Sequence, residues 1–348
     1  MPFIRVIIPC LLALSAGAAE VLPDVPDAVG RGGMAAVTVL ETGGREAILA
    51  IGGSNFPDKA PWDGGMKKFY GDILLLSRSD GQWNWRKIGE LPGPVAYAAF
   101  CPTPDRKAMV LAGGCNRTGH LADVWLVGSD GRFSKLPAPL PGPRAYAGHA
   151  VFNNRLQVIG GSAEPDALHT QLTSLTLDLT RPDEGWRAGK SHDPIGIIPL
   201  AGATDKGIFF GSGCALSAVE GKSFRTYQRD VFFTSSKGRP NHALLPRPKA
   251  GAAGPGVAIG QTIFFVGGDD GSHYSKPPKD HPGLSRDIIA IDTASPELRM
   301  EIVGQWPHPI ATAPLVRLGD DLVTVSGEDR PGSRTAKVTR WVIPARFR

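Results

Sequence analysis

Several stretches of this chain gather residue types that can move a proton and hold an anion. The run Gly327-Glu328-Asp329-Arg330-Pro331-Gly332-Ser333-Arg334-Thr335 places a carboxylate among two guanidiniums. Neighbouring cations favour the ionised carboxylate, which is the form a general base needs. An arginine fork can also grip a carboxylate through two parallel hydrogen bonds, so Arg334, aided by Arg144, is a candidate for selecting an acidic ligand. A second stretch after Gly53 supplies Asn55, Asp58 and Trp62, and a third after Gly268 supplies Asp269, Asp270, His273 and His281. Each has a plainer use. Glu328 and Arg334 can pair across their own loop, Asn55 and Asp58 can cap turns, and Trp62 can cover a channel. Arg144 suits bracing a neighbouring strand equally well, and Lys67-Lys68 reads as a solvated surface pair. The histidine and aspartate spacing fits no recognised metal-ligand set, so loop hydrogen bonding is expected there and no metal.

Residues so far apart need a scaffold, and the chain repeats itself. Apolar runs closing on paired or near-paired glycines recur about every fifty residues: AILAIGG, AMVLAGG, LQVIGG, the degenerate GIFFGSG, IFFVGG and LVTVSGE. Their first glycine positions are Gly52, Gly113, Gly160, Gly211 and Gly267, with Ser326 in the last copy. After a variable loop, Asp72, Asp123, Asp230 and Asp287 each open a further apolar run, and Trp85, Phe133, Trp186 and Trp306 mark another short strand. Four strands per unit and this period resemble the kelch repeat. The fold expected is an all-β, six-bladed kelch-type propeller over residues 20–348. The glycines are expected where inner strands crowd the axis. The last unit has three apolar runs and lacks a fourth, while 21–26 resembles an outer strand without a blade. The N-terminal strand should therefore complete the last blade and remove the open edges. Loops after second strands then share one face, which would gather Asn55, Asp58, Asp269, Glu328, Arg330 and Arg334, with Tyr97 and Arg144 on links entering the same face.

The loops carry a resemblance as well. GGSNFPDKAPWDGGMKKFYGDI at 52–73, GGDDGS at 267–272, HPGLSRDI at 281–288 and GEDRPGSRT at 327–335 resemble the cyclically permuted mutarotase family of kelch proteins. Its relative with an assigned activity is N-acetylneuraminate epimerase, a periplasmic sialic acid mutarotase. The resemblance covers about residues 21–343, with the repeat order shifted. It implies that Glu328 is the proton acceptor and Arg334 the arginine of the same motif. Interconverting sugar anomers means deprotonating the anomeric hydroxyl and protonating the ring oxygen as the ring opens, which one positioned carboxylate and a second acid can do. No metal or organic cofactor is required. A non-catalytic propeller that binds a glycan or a protein partner is the alternative, since fold alone does not fix function.

Composition agrees with this class. The chain has 348 residues with 44 Gly and 31 Pro, a turn-rich makeup without the period of collagen. Its net charge of +5 is small and scattered, which argues against nucleic acid and suits an anionic small molecule. Residues 1–19 have the layout of a secretory signal peptide: Arg5, an apolar run to about Leu14, then small residues. That run is too short to span a bilayer, so a periplasmic or secreted protein, free of the membrane after cleavage, is expected. Beyond the signal remain Cys101, Cys115 and Cys214, read as packed thiols. Five tyrosines without a fitting set of ligands argue against a copper radical oxidase on this scaffold.

Overall fold

Strand Glu46–Asn55 is an unbroken apolar run because both of its faces are covered. In the computed structural model, which describes residues 19–191, 195–235 and 240–348, Ala47, Leu49 and Ile51 pack toward Phe100, Met109 and Leu111. Ile48 and Ala50 on the opposite face pack toward Val316, Val323 and Val338. Strand alternation thus divides the side chains between two neighbouring sheets, and continuous apolar sequence follows. All but the last residue of the expected signal peptide lies outside the described residues.

The described residues form six four-stranded antiparallel blades around an axis. Their inner strands are Gly32–Leu40, Ala99–Pro102, Gly148–Phe152, Leu200–Ala203, Ala253–Ile259 and Leu315–Leu318. Blades 4 and 5 touch through one parallel bridge, Gly202 to Gly256, which links their sheets edge to edge at the axis. Hydrophobic layers fill each interface between neighbours. Phe209 and Val231 of blade 4 meet Ile263 and Phe265 of blade 5, for example. The N-terminal strand closes the last blade as expected, but as Ala19–Leu22 rather than 21–26, pairing antiparallel with Val338–Val342, outside Asp321–Val325 and Leu315–Leu318.

Two rings of backbone hydrogen bonds complete the closure. In the first, the second residue of each diglycine donates its N–H to the carbonyl of the link entering the next blade. Gly53 donates to Val95, Gly114 to Arg144, Gly161 to Gly196, Gly213 to Lys249 and Gly268 to Ile310, and Gly327 returns to Arg31. In the second ring, Tyr97 N–H donates to Gly33 O, Tyr146 to Tyr97, Ile198 to Tyr146, Gly251 to Ile198, Thr312 to Gly251, and Gly33 to Thr312. All six of those residues lie in the left-handed region, Tyr97 at φ 55° and Gly33 at φ 67° among them.

These rings correct the reason for the glycines. Gly52 has φ +71°, and a Cβ there would sit 2.1 Å from Val95 O. The diglycine is where a neighbouring blade's carbonyl docks on left-handed backbone, rather than where strands crowd the axis. They also correct the register of blade 4. Its diglycine pair is Ser212-Gly213, with Ser212 at φ 56°, matching Ser326 at φ 57° in blade 6. Trp306 does not open a strand; it follows Arg299–Gln305 and is fully buried. Cys101, Cys115 and Cys214 are buried free thiols, and burial pushes Cys214 up to about 12. No helix among the described residues is long and apolar enough to cross a membrane.

Candidate functional site

The segments following the second strands do converge on one face, where they wall a cup of about 840 Å³ at the mouth of the central channel. That size falls in the range of small-ligand sites, roughly 300–1,000 Å³. Below the cup the channel narrows to about 90 Å³. The opposite mouth holds a cavity of about 510 Å³, but its carboxylate, Glu46, is already matched by Arg106 at 2.7 Å and by the Gly319 N–H at 2.7 Å.

Glu328 lies on the cup wall, with its side chain 15% exposed. It begins a short hairpin in which Glu328–Arg330 pairs with Ser333–Arg334, and its backbone is bridged to Ala311 on the link entering its own blade. Thr312, one residue on, donates its hydroxyl to Glu328 Oε1 at 2.9 Å, and Tyr97 O–H donates to the same oxygen at 3.1 Å. Arg334 Nη1 stands 3.2 Å from Oε2. A carboxylate offers about four lone-pair sites, so three donors leave one for a ligand hydroxyl.

Arg334 lines the cup and is paired there with Glu328. Its side chain is 4% exposed; besides Glu328 it donates to Ser54 O and Ser333 O, and it lies over the Phe56 ring at 5.5 Å. Burial is the largest influence and opposes its charge, yet the Glu328 carboxylate together with Tyr97 and Tyr146 holds the guanidinium above the ordinary arginine range. The pair does form across its own hairpin, and both residues lie on the cup lining.

Asp269 also lines the cup, accepting from Tyr227 O–H at 2.5 Å and from the Gly271 N–H at 3.0 Å. The remaining candidates lie elsewhere. Asn55 is fully buried, donating to Asp27 and Gly30 O and accepting from Tyr70 O–H; it ties together the start of blade 1 and is not among the cup-lining residues. Asp58 is exposed beyond the cup, and Trp62 covers Gly332 of the Glu328 hairpin from outside. Arg144 is buried and donates to Gly160 O and Thr173 O, a brace for its own blade. Arg330 is exposed at the hairpin turn, outside the cup lining. His281 accepts the Gly283 N–H on Nδ1, the loop role expected of it.

Sequence reasoning had put Tyr97 on this face but passed over several other cup residues. Lys67 is not a solvated surface residue: it lines the cup and sits over the Tyr97 ring at 4.9 Å. Burial, and then the charge of Arg334, hold its ammonium below the ordinary lysine value. Tyr97 and Tyr146 stand side by side with ring centroids 4.5 Å apart, and burial pushes both phenols up. The repeated Ala-Tyr-Ala at 96–98 and 145–147 was a readable signal for this pair. Tyr227 and Arg225 come from the long hairpin Cys214–Val219/Lys222–Tyr227 of blade 4, which matched no motif.

No family model matches the chain, and no curated protein matches it in sequence. Its architecture is similar to the solved structure of YjhT, with a TM-score of 0.67 over 93% of this chain and 97% of that one. Sequence identity between the two is 15%, so the likeness is one of fold.

Proposed function

We propose that this protein is an exported mutarotase that interconverts the anomers of a cyclic acidic sugar, with N-acetylneuraminate as substrate. The observation that carries this reading is Glu328, a carboxylate at the mouth of a propeller channel, oriented by three donors and left with one acceptor site facing the cup. The resemblance of the 327–335 loop to the mutarotase motif supports the same role. Tyr97, Thr312 and Arg334 fix the carboxylate's orientation before substrate arrives, so little reorganisation accompanies proton transfer.

In the reaction, Glu328 takes the proton of the anomeric hydroxyl while the bond from the anomeric carbon to the ring oxygen breaks. The electron pair of that bond goes to the ring oxygen, which takes a proton from water or from a second acid on the cup wall. The open-chain carbonyl form turns about its bond to the neighbouring carbon, and the same steps in reverse close the ring on the other face. Glu328 returns its proton, so the cycle is balanced without an oxidant or reductant. General acid–base assistance of roughly 10²–10⁴-fold is enough for such a step.

The test is one-dimensional proton NMR of crystalline sialic acid dissolved with and without protein. Wild type should shorten the approach to anomeric equilibrium, and Glu328→Gln should return it to the spontaneous rate. A spontaneous rate with wild type, across sialic acid and common aldoses, overturns the proposal. Sugar binding without acceleration would favour the non-catalytic propeller instead.

A further inference from the structure

If the substrate is an acidic sugar, something in the cup must meet its carboxylate, and Arg334 is already committed. Its side chain is nearly buried, and its Nε and Nη1 are held by Glu328 and two backbone carbonyls. The other cations on the cup lining are Lys67, Lys222 and Arg225, and the one with a planar fork lies on the blade 4 hairpin. In the register of that hairpin, Cys214 opposes Tyr227 and Leu216 opposes Arg225. Alternate residues of a strand share a face, so Arg225 and Tyr227 point the same way. Tyr227 reaches Asp269 in the cup with its hydroxyl, which fixes that face as the inner one. Arg225 lines the cup and makes no ion pair among the described residues. Its charge also bears on Tyr227 and Cys214, opposing the upward push that burial gives both.

We infer that Arg225 is the specificity-determining residue for the acidic sugar, holding its carboxylate from the blade 4 hairpin, while Arg334 is a positioning residue for Glu328. This rests on the mutarotase reading for its substrate, not for its geometry. An exposed guanidinium without an ion pair can present its fork to a carboxylate, whereas Arg334 is nearly buried against Glu328, whose negative charge repels a second carboxylate. Lys67, over the Tyr97 ring on the blade 1 side, supplies a point charge without the fork. The arrangement separates chemistry from selection: Glu328 acts from blade 6, and the anionic group is read from blade 4.

The experiment compares N-acetylneuraminate with its methyl ester, which keeps the ring and loses the charge. Affinities are measured by titration calorimetry in a Glu328→Gln background, where turnover does not interfere, and anomerisation rates are measured with Glu328 in place. Arg225→Gln should weaken the acid roughly 10- to 100-fold, the value of a lost charge-assisted contact, and largely erase the preference over the ester. Arg225→Lys should recover part of it. Arg225 is exposed, so an unaltered melting temperature is expected to accompany these changes. Equal weakening of acid and ester, no weakening of either, or loss of the preference only in Lys67→Met would overturn the assignment. Acceleration that ignores position 225 would sink this inference and leave the mutarotase intact. Arg225-dependent binding of the acid without acceleration would do the reverse.

Discussion

Glu328 and Asp269 occupy one position in neighbouring blades, the first residue after the diglycine. Ser54, Cys115, Ser162 and Cys214 fill it in the others, and each is bridged to the link entering its own blade. The backbone setting is shared, so chemistry at this ring is decided by side chain alone. Glu328 gains three side-chain donors and Asp269 a tyrosine and a backbone N–H. His149 lines the narrow channel, buried with its ring T-shaped against Phe100, centroids 4.5 Å apart. Burial pushes its imidazole down to about 4 from the ordinary 6.5. Between those values the unfolded chain binds a proton that the folded one refuses, so stability is full above pH 6.5 and falls as the pH drops toward 4. The loss should approach about 3 kcal/mol. Urea midpoints at pH 7 and pH 4.5 should show this in wild type and a flatter dependence in His149→Leu. An equal slope in both would refute the assignment.

At the scale of the element, the diglycine and the hairpin that follows it do different work. Left-handed backbone alone makes a glycine useful, and Gly44 shows that case: φ +77°, with nothing within 4 Å of the place a methyl group would take. Gly52 adds the docked Val95 carbonyl, 2.1 Å from where a Cβ would be. Gly44→Ala should cost about 1 kcal/mol, and Gly52→Ala about 2–4 kcal/mol because strain and overpacking combine. Chemical denaturation of the two variants separates the effects; similar costs would mean the blade junction yields freely. The hairpins vary in reach. Cys115–Asn116 pairs with Gly119–His120 as a short turn, whereas Cys214–Val219 pairs with Lys222–Tyr227 along its whole length. The repeating strands were legible because packing between two sheets enforces a period. The hairpins answer to the ligand and not to the repeat, so nothing periodic announced Arg225, and Lys67 beside Lys68 gave no sign of which one turns inward.

For the whole molecule, closure is the event on which the cup depends. The N-terminal strand supplies the outer edge of blade 6, and Leu22, 3% exposed, packs with Val323 and Val338 in the layer shared with blade 1. Leu22→Ala should cost about 2–5 kcal/mol, read from urea unfolding, and a loss under about 1 kcal/mol would show that the ring closes without this strand. Because Gly327 donates to Arg31 O and Gly33 to Thr312 O across the same seam, opening it would also disturb Thr312, which holds Glu328. Local repetition by itself determined the blades, their number, the shared face of the loops and the place of the N-terminal strand, because each follows from alternation and glycine spacing along the chain. Only the tertiary structure decided which polar residues belong to the cup. Asn55, Arg144 and Arg334 had the right chemistry for a ligand, yet buried partners had claimed their hydrogen bonds. Tyr146, Lys67 and Arg225 became cup residues through contacts between blades that lie far apart in the chain.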